Sequence, residues 1–387
     1  MVRNIIRVER KRILSNRTFI IIISLSLIFS IFKVISLFKG YNIYDSSGNI
    51  EIKAGENLKQ SKEKNNKLLD EKLLKDIINR VDKSRYLYNS NLVRLVSSNF
   101  KEKKFSEITE KDIKDFYEKR IKNINENTKK SLIKYTKEQL NFIDSEAKKL
   151  KEPIDISYAE GWKNLNNYMT DFVLVIIIVI SIIIIPVFAI DQKTKMKELY
   201  ESTKNGKKLL IKCRAIVSIE VGLILYITSV FIFSIIILTV FGVEGYNTQI
   251  QSSIGYFESI YNITYFQQYL LNFTLGLVAM LVAVSIVLFV TSVFNQILVG
   301  GVIVTFFWIT MMTIPRSIFE FHHFLGNFFP YNMTDFNSFY TNNEFYSVFG
   351  NIMFRSTFTL FISFIIFLIF TIGSIVISNK KLLKKMS

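Results

Sequence analysis

Six apolar runs, at residues 18–38, 172–189, 215–241, 270–294, 297–314 and 352–377, punctuate this chain, and one long charged insert separates the first two. At about 1.5 Å of rise per helical residue, each run is long enough to cross a hydrocarbon core of roughly 30 Å. The expected fold class is an all-α integral membrane protein with six transmembrane helices. Such a chain serves a task that needs two aqueous sides or a hydrophobic address, which excludes most soluble enzymes.

Lys and Arg number 49 against 32 Asp and Glu, a formal balance of +17. In a soluble domain that surplus points to nucleic acid, but here the basic residues gather at the ends of the apolar runs, where they mark topology. Cys213 is the only cysteine, so the insert folds without an intrachain disulfide. Richness in Lys, Ile and Asn fits a low-GC bacterial genome, hence a bacterial plasma membrane. The first run exceeds a signal peptide's apolar region of roughly 7–15 residues and no small-x-small site follows it, so it reads as a retained span.

Orientation follows from Lys and Arg in short loops and flanks. Residues 1–17 carry Arg3, Arg7, Arg10, Lys11, Arg12 and Arg17 against Glu9 alone, and are expected to be cytoplasmic. Residues 190–214, with Lys193, Lys195, Lys197, Lys204, Lys207, Lys208, Lys212 and Arg214, fall on the same side, as does the 378–387 tail with Lys380, Lys381, Lys384 and Lys385. The segments 242–269 and 315–351 offer only Arg316. Both termini are therefore expected inside, and the insert, 39–171, outside.

Within the insert, Leu69, Leu73, Ile77 and Val81, and later Ile113, Phe116, Tyr117 and Ile121, recur at helical spacing. Thr109 with Asp112 three residues on reads as a helix cap. The expectation is a helical hairpin domain of two long amphipathic helices, serving as a spacer or as a substrate receptor. Residues 1–17 mix Ile5, Ile6, Val8, Ile13 and Leu14 with arginines and read as an amphipathic helix in the membrane interface.

Between spans two and three, Asp191, Leu199, Ser202, Thr203, Lys207, Leu209, Leu210 and Arg214 occur in an order that resembles the first cytoplasmic loop of bacterial ABC transporter permeases of the second export type, the type V exporter fold. Lys195-Met196 stands where that family often has Gly-Thr, and Lys204 where it often has Pro. The resemblance implies a coupling helix seated in a separate ATPase subunit, with Met196, Glu198, Leu199, Ser202, Thr203 and Lys204 at the contact, and a permease paired with itself or a sister permease in the membrane lipid. It also likens the aromatic segment 315–351 to a re-entrant element before the last span, with Phe329, Pro330 and Tyr331 at its bend and at the outer mouth. The alternative for that segment is an aromatic belt at headgroup level.

The chain has no Gly-x-x-x-x-Gly-Lys-Ser/Thr run, so it is expected to be non-catalytic, to bind no cofactor itself, and to leave ATP hydrolysis to a partner. His322 and His323 are adjacent and poorly placed to converge on a metal. Lys33 is expected to snorkel, and Glu220 is a possible intramembrane functional residue that needs a partner if buried. Gly276, Ala279, Ala283, Ser285, Thr291, Ser292, Gly300 and Gly301 mark where helices approach. The expected function is the permease subunit of an exporter for an amphipathic peptide, drug or lipid-like passenger, and the alternative is a membrane receptor or immunity protein that binds a peptide through the insert. No nucleic-acid partner is expected.

Overall fold

Apolar helices dominate the computed structural model, which describes residues 2–44, 47–63, 67–80, 90–130, 134–188, 206–294, 296–313 and 324–383. In chain order the helices are α1 (Val2–Ile13), α2 (Asn16–Gly40), α3 (Ala54–Glu63), α4 (Glu71–Arg80), α5 (Ser90–Asn99), α6 (Glu110–Lys114), α7 (Phe116–Lys130), α8 (Lys137–Lys148), α9 (Glu160–Ile184) and α10 (Gly206–Phe241). They continue with α11 (Tyr265–Phe294), α12 (Ile297–Thr313), α13 (Pro330–Met333), α14 (Phe336–Thr341) and α15 (Arg355–Leu383). Two small antiparallel hairpins, β1 (Ile43–Tyr44) with β2 (Ile50–Ile52) and β3 (Phe345–Val348) with β4 (Asn351–Phe354), are the sheet among the described residues.

Among the described residues five helices, α2, α9, α10, α11 and α15, are long and apolar enough to cross a membrane, as in a multi-pass all-α membrane protein. The remaining apolar run forms α12, which is shorter at 17 residues. Several helices start before their apolar runs do: α9 begins at Glu160, α10 at Gly206 and α11 at Tyr265. The residues before each run are polar yet helical, so hydropathy alone places the span and misses the helix that carries it.

The long helices share two common ends. At one end Tyr41 donates to Glu160 (2.5 Å), Tyr158 donates to the carbonyl of Phe241 (2.6 Å), and the amide of Arg355 donates to the carbonyl of Glu344 (3.0 Å). The insert sits at this end. At the other end α1 packs on α10. Helices α11 and α15 both start at the insert end and pack along each other. Gly300 of α12 abuts Thr291 near the far end of α11, whereas Phe307 reaches Phe329 (6.3 Å between ring centroids), so α12 runs back toward the insert end.

The insert corrects the expectation of a long helical hairpin. Within the second long helix expected there, α8 starts afresh at the Thr136 cap, whose backbone is extended. The backbone turns at Phe100–Lys103, between the two expected helices, re-enters at the Thr109 cap, and breaks again at Asp115 inside the second of them. The short helices wrap a core of Leu69, Leu74, Ile77, Leu95, Phe100, Ile113 and Phe116, which Phe257 of the 242–264 segment completes. A second cluster of Ile124, Ile143, Ala147 and Leu150 is completed by Ile260 and by Phe345 of β3. The insert is thus seated on the other two segments at its end of the bundle and does not stand clear of them.

One buried cation fixes that seat. Arg120, fully buried, donates from Nε to the carbonyl of Phe257 (2.8 Å) and lies over the Phe257 ring (4.9 Å). Desolvation holds its pKa down at about 10.

The expected cap is present. The Thr109 amide and hydroxyl both donate to one Asp112 carboxylate oxygen (2.8 Å each), and Lys103 donates to the other (2.7 Å). Lys103 first, then the Thr109 amide, depress the Asp112 pKa from 3.8 to about 2. Because the folded value is depressed, this carboxylate stabilises the insert above about pH 4, and the contribution is lost as pH falls through about 2. Asp112→Ala should cost about 1 kcal/mol at neutral pH. In hydrogen exchange at the α6 amides, the gap between wild type and variant should close between pH 4 and pH 2.

Candidate functional site

Asparagine is costly inside an apolar bundle unless both ends of its amide are used. Asn166 on α9 and Asn272 on α11 are both buried and meet each other. Asn166 donates to the carbonyls of Trp162 (3.0 Å) and Tyr265 (3.1 Å), Asn272 donates to Asn166 Oδ1 (3.0 Å), and the Tyr340 hydroxyl of α14 donates to Asn272 Oδ1 (2.6 Å). This relay ties two long helices to a short one. Beside it Tyr256 reaches Asn337, and Tyr261 shares a hydrogen bond with Ser356 (3.1 Å). Burial raises the pKa of the Tyr340 and Tyr256 hydroxyls well above 10, so they act as neutral donors.

The relay seats a segment that enters the bundle without crossing it. Helices α13 and α14 lie against α11, α9 and α15: Ser363 donates to Met333 Sδ (3.4 Å), and the Phe336 ring would touch a Cβ added at Gly276 (3.3 Å). A side chain at Gly276 would also collide with the Tyr226 hydroxyl, which explains the bare backbone there. Ala279, Ala283, Ser285, Thr291 and Ser292 are buried with it in the α11 seam.

Of the residues expected at the mouth, Phe329 caps α13, Pro330 is its buried first residue, and Tyr331 is half-buried against the main core. They form the entry of this short-helix piece. The aromatic stretch beyond them includes the β3–β4 hairpin, which neither a re-entrant helix nor an aromatic belt led one to expect. Its turn, Phe349-Gly350, has φ of 48° and 80°, as a two-residue hairpin loop requires.

The α1 end holds an ion network. Glu9, 3 % exposed, pairs with Arg214 (3.2 Å) and Arg12 (2.6 Å), and Arg12 also donates to the carbonyl of Val187 past the end of α9 (3.3 Å). Glu220 pairs with Arg10 at 2.5 Å, each side chain about a third or more exposed. Its partner is therefore part of the fold, and Glu220 serves as a strut between α1 and α10. Lys33 lies on Asp171 of α9 (2.9 Å) and over the Tyr168 ring (4.7 Å), bridging helices where snorkelling was expected. Cys213 is buried.

Between the last turns of α9 and α12 an open groove of about 660 Å³ is lined by Ile182, Ile185, Pro186, Leu298, Val302, Phe306 and Ile309, with Thr305 as its polar lining side chain. Among the described residues it offers dispersion and burial to an apolar ligand and no charge. The expected ATPase contacts Met196, Glu198, Leu199, Ser202, Thr203 and Lys204, like His322 and His323, lie outside the described residues. The Asn166–Asn272–Tyr340 relay escaped the sequence reading; the available signal was an amide near the start of an apolar run. No family model, no curated protein and no solved structure matches this chain.

Two stability measurements test these assignments. Asn272→Ala and Tyr340→Phe should each destabilise the purified protein by about 1–3 kcal/mol by stranding a buried partner, and the double variant should cost clearly less than the sum of the two. Glu9→Gln leaves Arg214 buried with a weakened counterion and should cost roughly 3–5 kcal/mol. Glu220→Gln, at a wetter pair, should cost less than about 1 kcal/mol.

Proposed function

We propose that this chain is the membrane subunit of an ATP-binding-cassette exporter, driven by a separate ATPase and working as a homodimer or with a sister permease. In this reading α12 supplies a sixth crossing in a bacterial plasma membrane. The α1 end, both termini and residues 190–205 are cytoplasmic, and the insert is extracytoplasmic.

The supporting observation is the corner at the α1 end. Residues 189–205 join α9 to α10, and the flanking ends of those helices are braced to α1 through Val187–Arg12, Arg214–Glu9 and Glu220–Arg10. A push delivered to that connection reaches α9, α10 and α1 together. Ile182, Ile185 and Pro186 near the end of α9 form one wall of the apolar groove, so the same push changes the groove's width. A groove whose described lining is apolar suits an amphipathic peptide, drug or lipid-like passenger, held by buried area. Met196, Glu198, Leu199, Ser202, Thr203 and Lys204 are the proposed ATPase contact, on the resemblance of their loop.

The receptor reading draws on the insert, whose cores are completed by Phe257, Ile260 and Phe345, so a ligand gripping it would pull on both neighbouring segments. The two readings separate on coupling. Leu199→Asp should weaken co-purification with the ATPase and reduce transport at least tenfold, with the permease still present in the membrane. Undiminished co-purification and transport would refute the coupling assignment.

A further inference from the structure

Five basic residues precede the first long helix, and the fold consumes only some of them. Arg10 and Arg12 turn to the bundle, held by Glu220, Glu9 and the Val187 carbonyl. Arg3, Arg7 and Lys11 do not. Their spacing of four residues stacks them along one face of α1, all three are exposed, and none has an ion-pair partner among the described residues. The opposite face carries Glu9 and Ile13, both buried against the bundle. Beside the cationic row, Val8 is 65 % exposed.

An exposed cationic row with an apolar flank, on a helix joined through the Ser15 cap to a long apolar helix, matches the boundary between headgroups and acyl chains. We propose that Arg3, Arg7 and Lys11 form a binding surface for the phosphates of anionic phospholipids in the leaflet at this end of the bundle. From Arg3 to Lys11 the row extends about 12 Å along the helix, farther than one phosphate ion can bridge, so the fitting ligand is an array of headgroups. Guanidinium groups suit it, because each can present two parallel donors to a phosphodiester. The brace of Glu9, Arg10 and Arg12 keeps the row facing away from α10. The inference does not depend on what the protein transports.

The test uses the full-length protein in neutral detergent, with bound lipid counted by native mass spectrometry during titration with phosphatidylglycerol, phosphatidylcholine or inorganic phosphate. Three cations at an anionic surface predict a preference for phosphatidylglycerol on the order of 100-fold. The R3Q/R7Q/K11Q variant should fall to the phosphatidylcholine level, and R3K/R7K, with Lys11 untouched, should retain most of the preference, which separates lost charge from lost folding. Wild-type-like phosphatidylglycerol retention by the triple-Gln variant would overturn the proposal. So would displacement of the lipid by equimolar inorganic phosphate, which would assign the row to a free ion. A triple-Gln variant that kept its lipid but lost an acidic protein partner would make the row a protein-docking face and overturn it equally.

Discussion

Backbone amides and carbonyls have no water to bond inside a bilayer, so chain that is not helical must be covered by protein or held at an end. That constraint orders this molecule. Among the described residues most irregular chain collects at the insert end, and the segment that enters the bundle, α13 and α14, does so among α9, α11 and α15 with Tyr340 bonded to Asn272. The Asn166–Asn272–Tyr340 relay offsets the desolvation of three polar side chains at once. A bundle of leucine-like faces alone gains little from one helix pairing over another. The relay and the small residues around Gly276 therefore specify which faces meet.

From that seat the outer assembly follows. The α14 helix leads to the β3–β4 hairpin, and Arg355 at the start of α15 is buried with its cation over Phe339 (4.1 Å) and its Nη1 facing Glu344 (3.5 Å). Phe345 of the hairpin then plugs one insert cluster, while Phe257, gripped by Arg120, plugs the other. The insert is a cap made partly of other segments. Loops distant in sequence complete both of its cores.

The apolar runs made the long helices legible, because length and hydropathy are local properties. So was the Thr109–Asp112 cap, whose whole signal lies within four residues. The breaks inside the second insert helix were not legible, since apolar spacing continues through Asp115 and Thr136 while the helical backbone does not. Pairings such as Lys33 with Asp171, or Glu220 with Arg10, depend on which helices become neighbours, and spacing along one helix is silent about that. The relay was hidden for the same reason: Asn166 lies before its apolar run, and its partner is a hundred residues away in sequence (a separation of 106).

The proposed mechanism needs the two ends of the bundle to face opposite compartments, with the cap on one side and the braced α9–α10 corner on the other. Single cysteines in a Cys213→Ser background, one at Ser106 in the insert and one at Ser202 in the 189–205 connection, report this directly when a membrane-impermeant maleimide is added to cells. The account predicts labelling of the Ser106 position in intact cells, and of the Ser202 position only after permeabilisation. Labelling of both positions from the same side would contradict it.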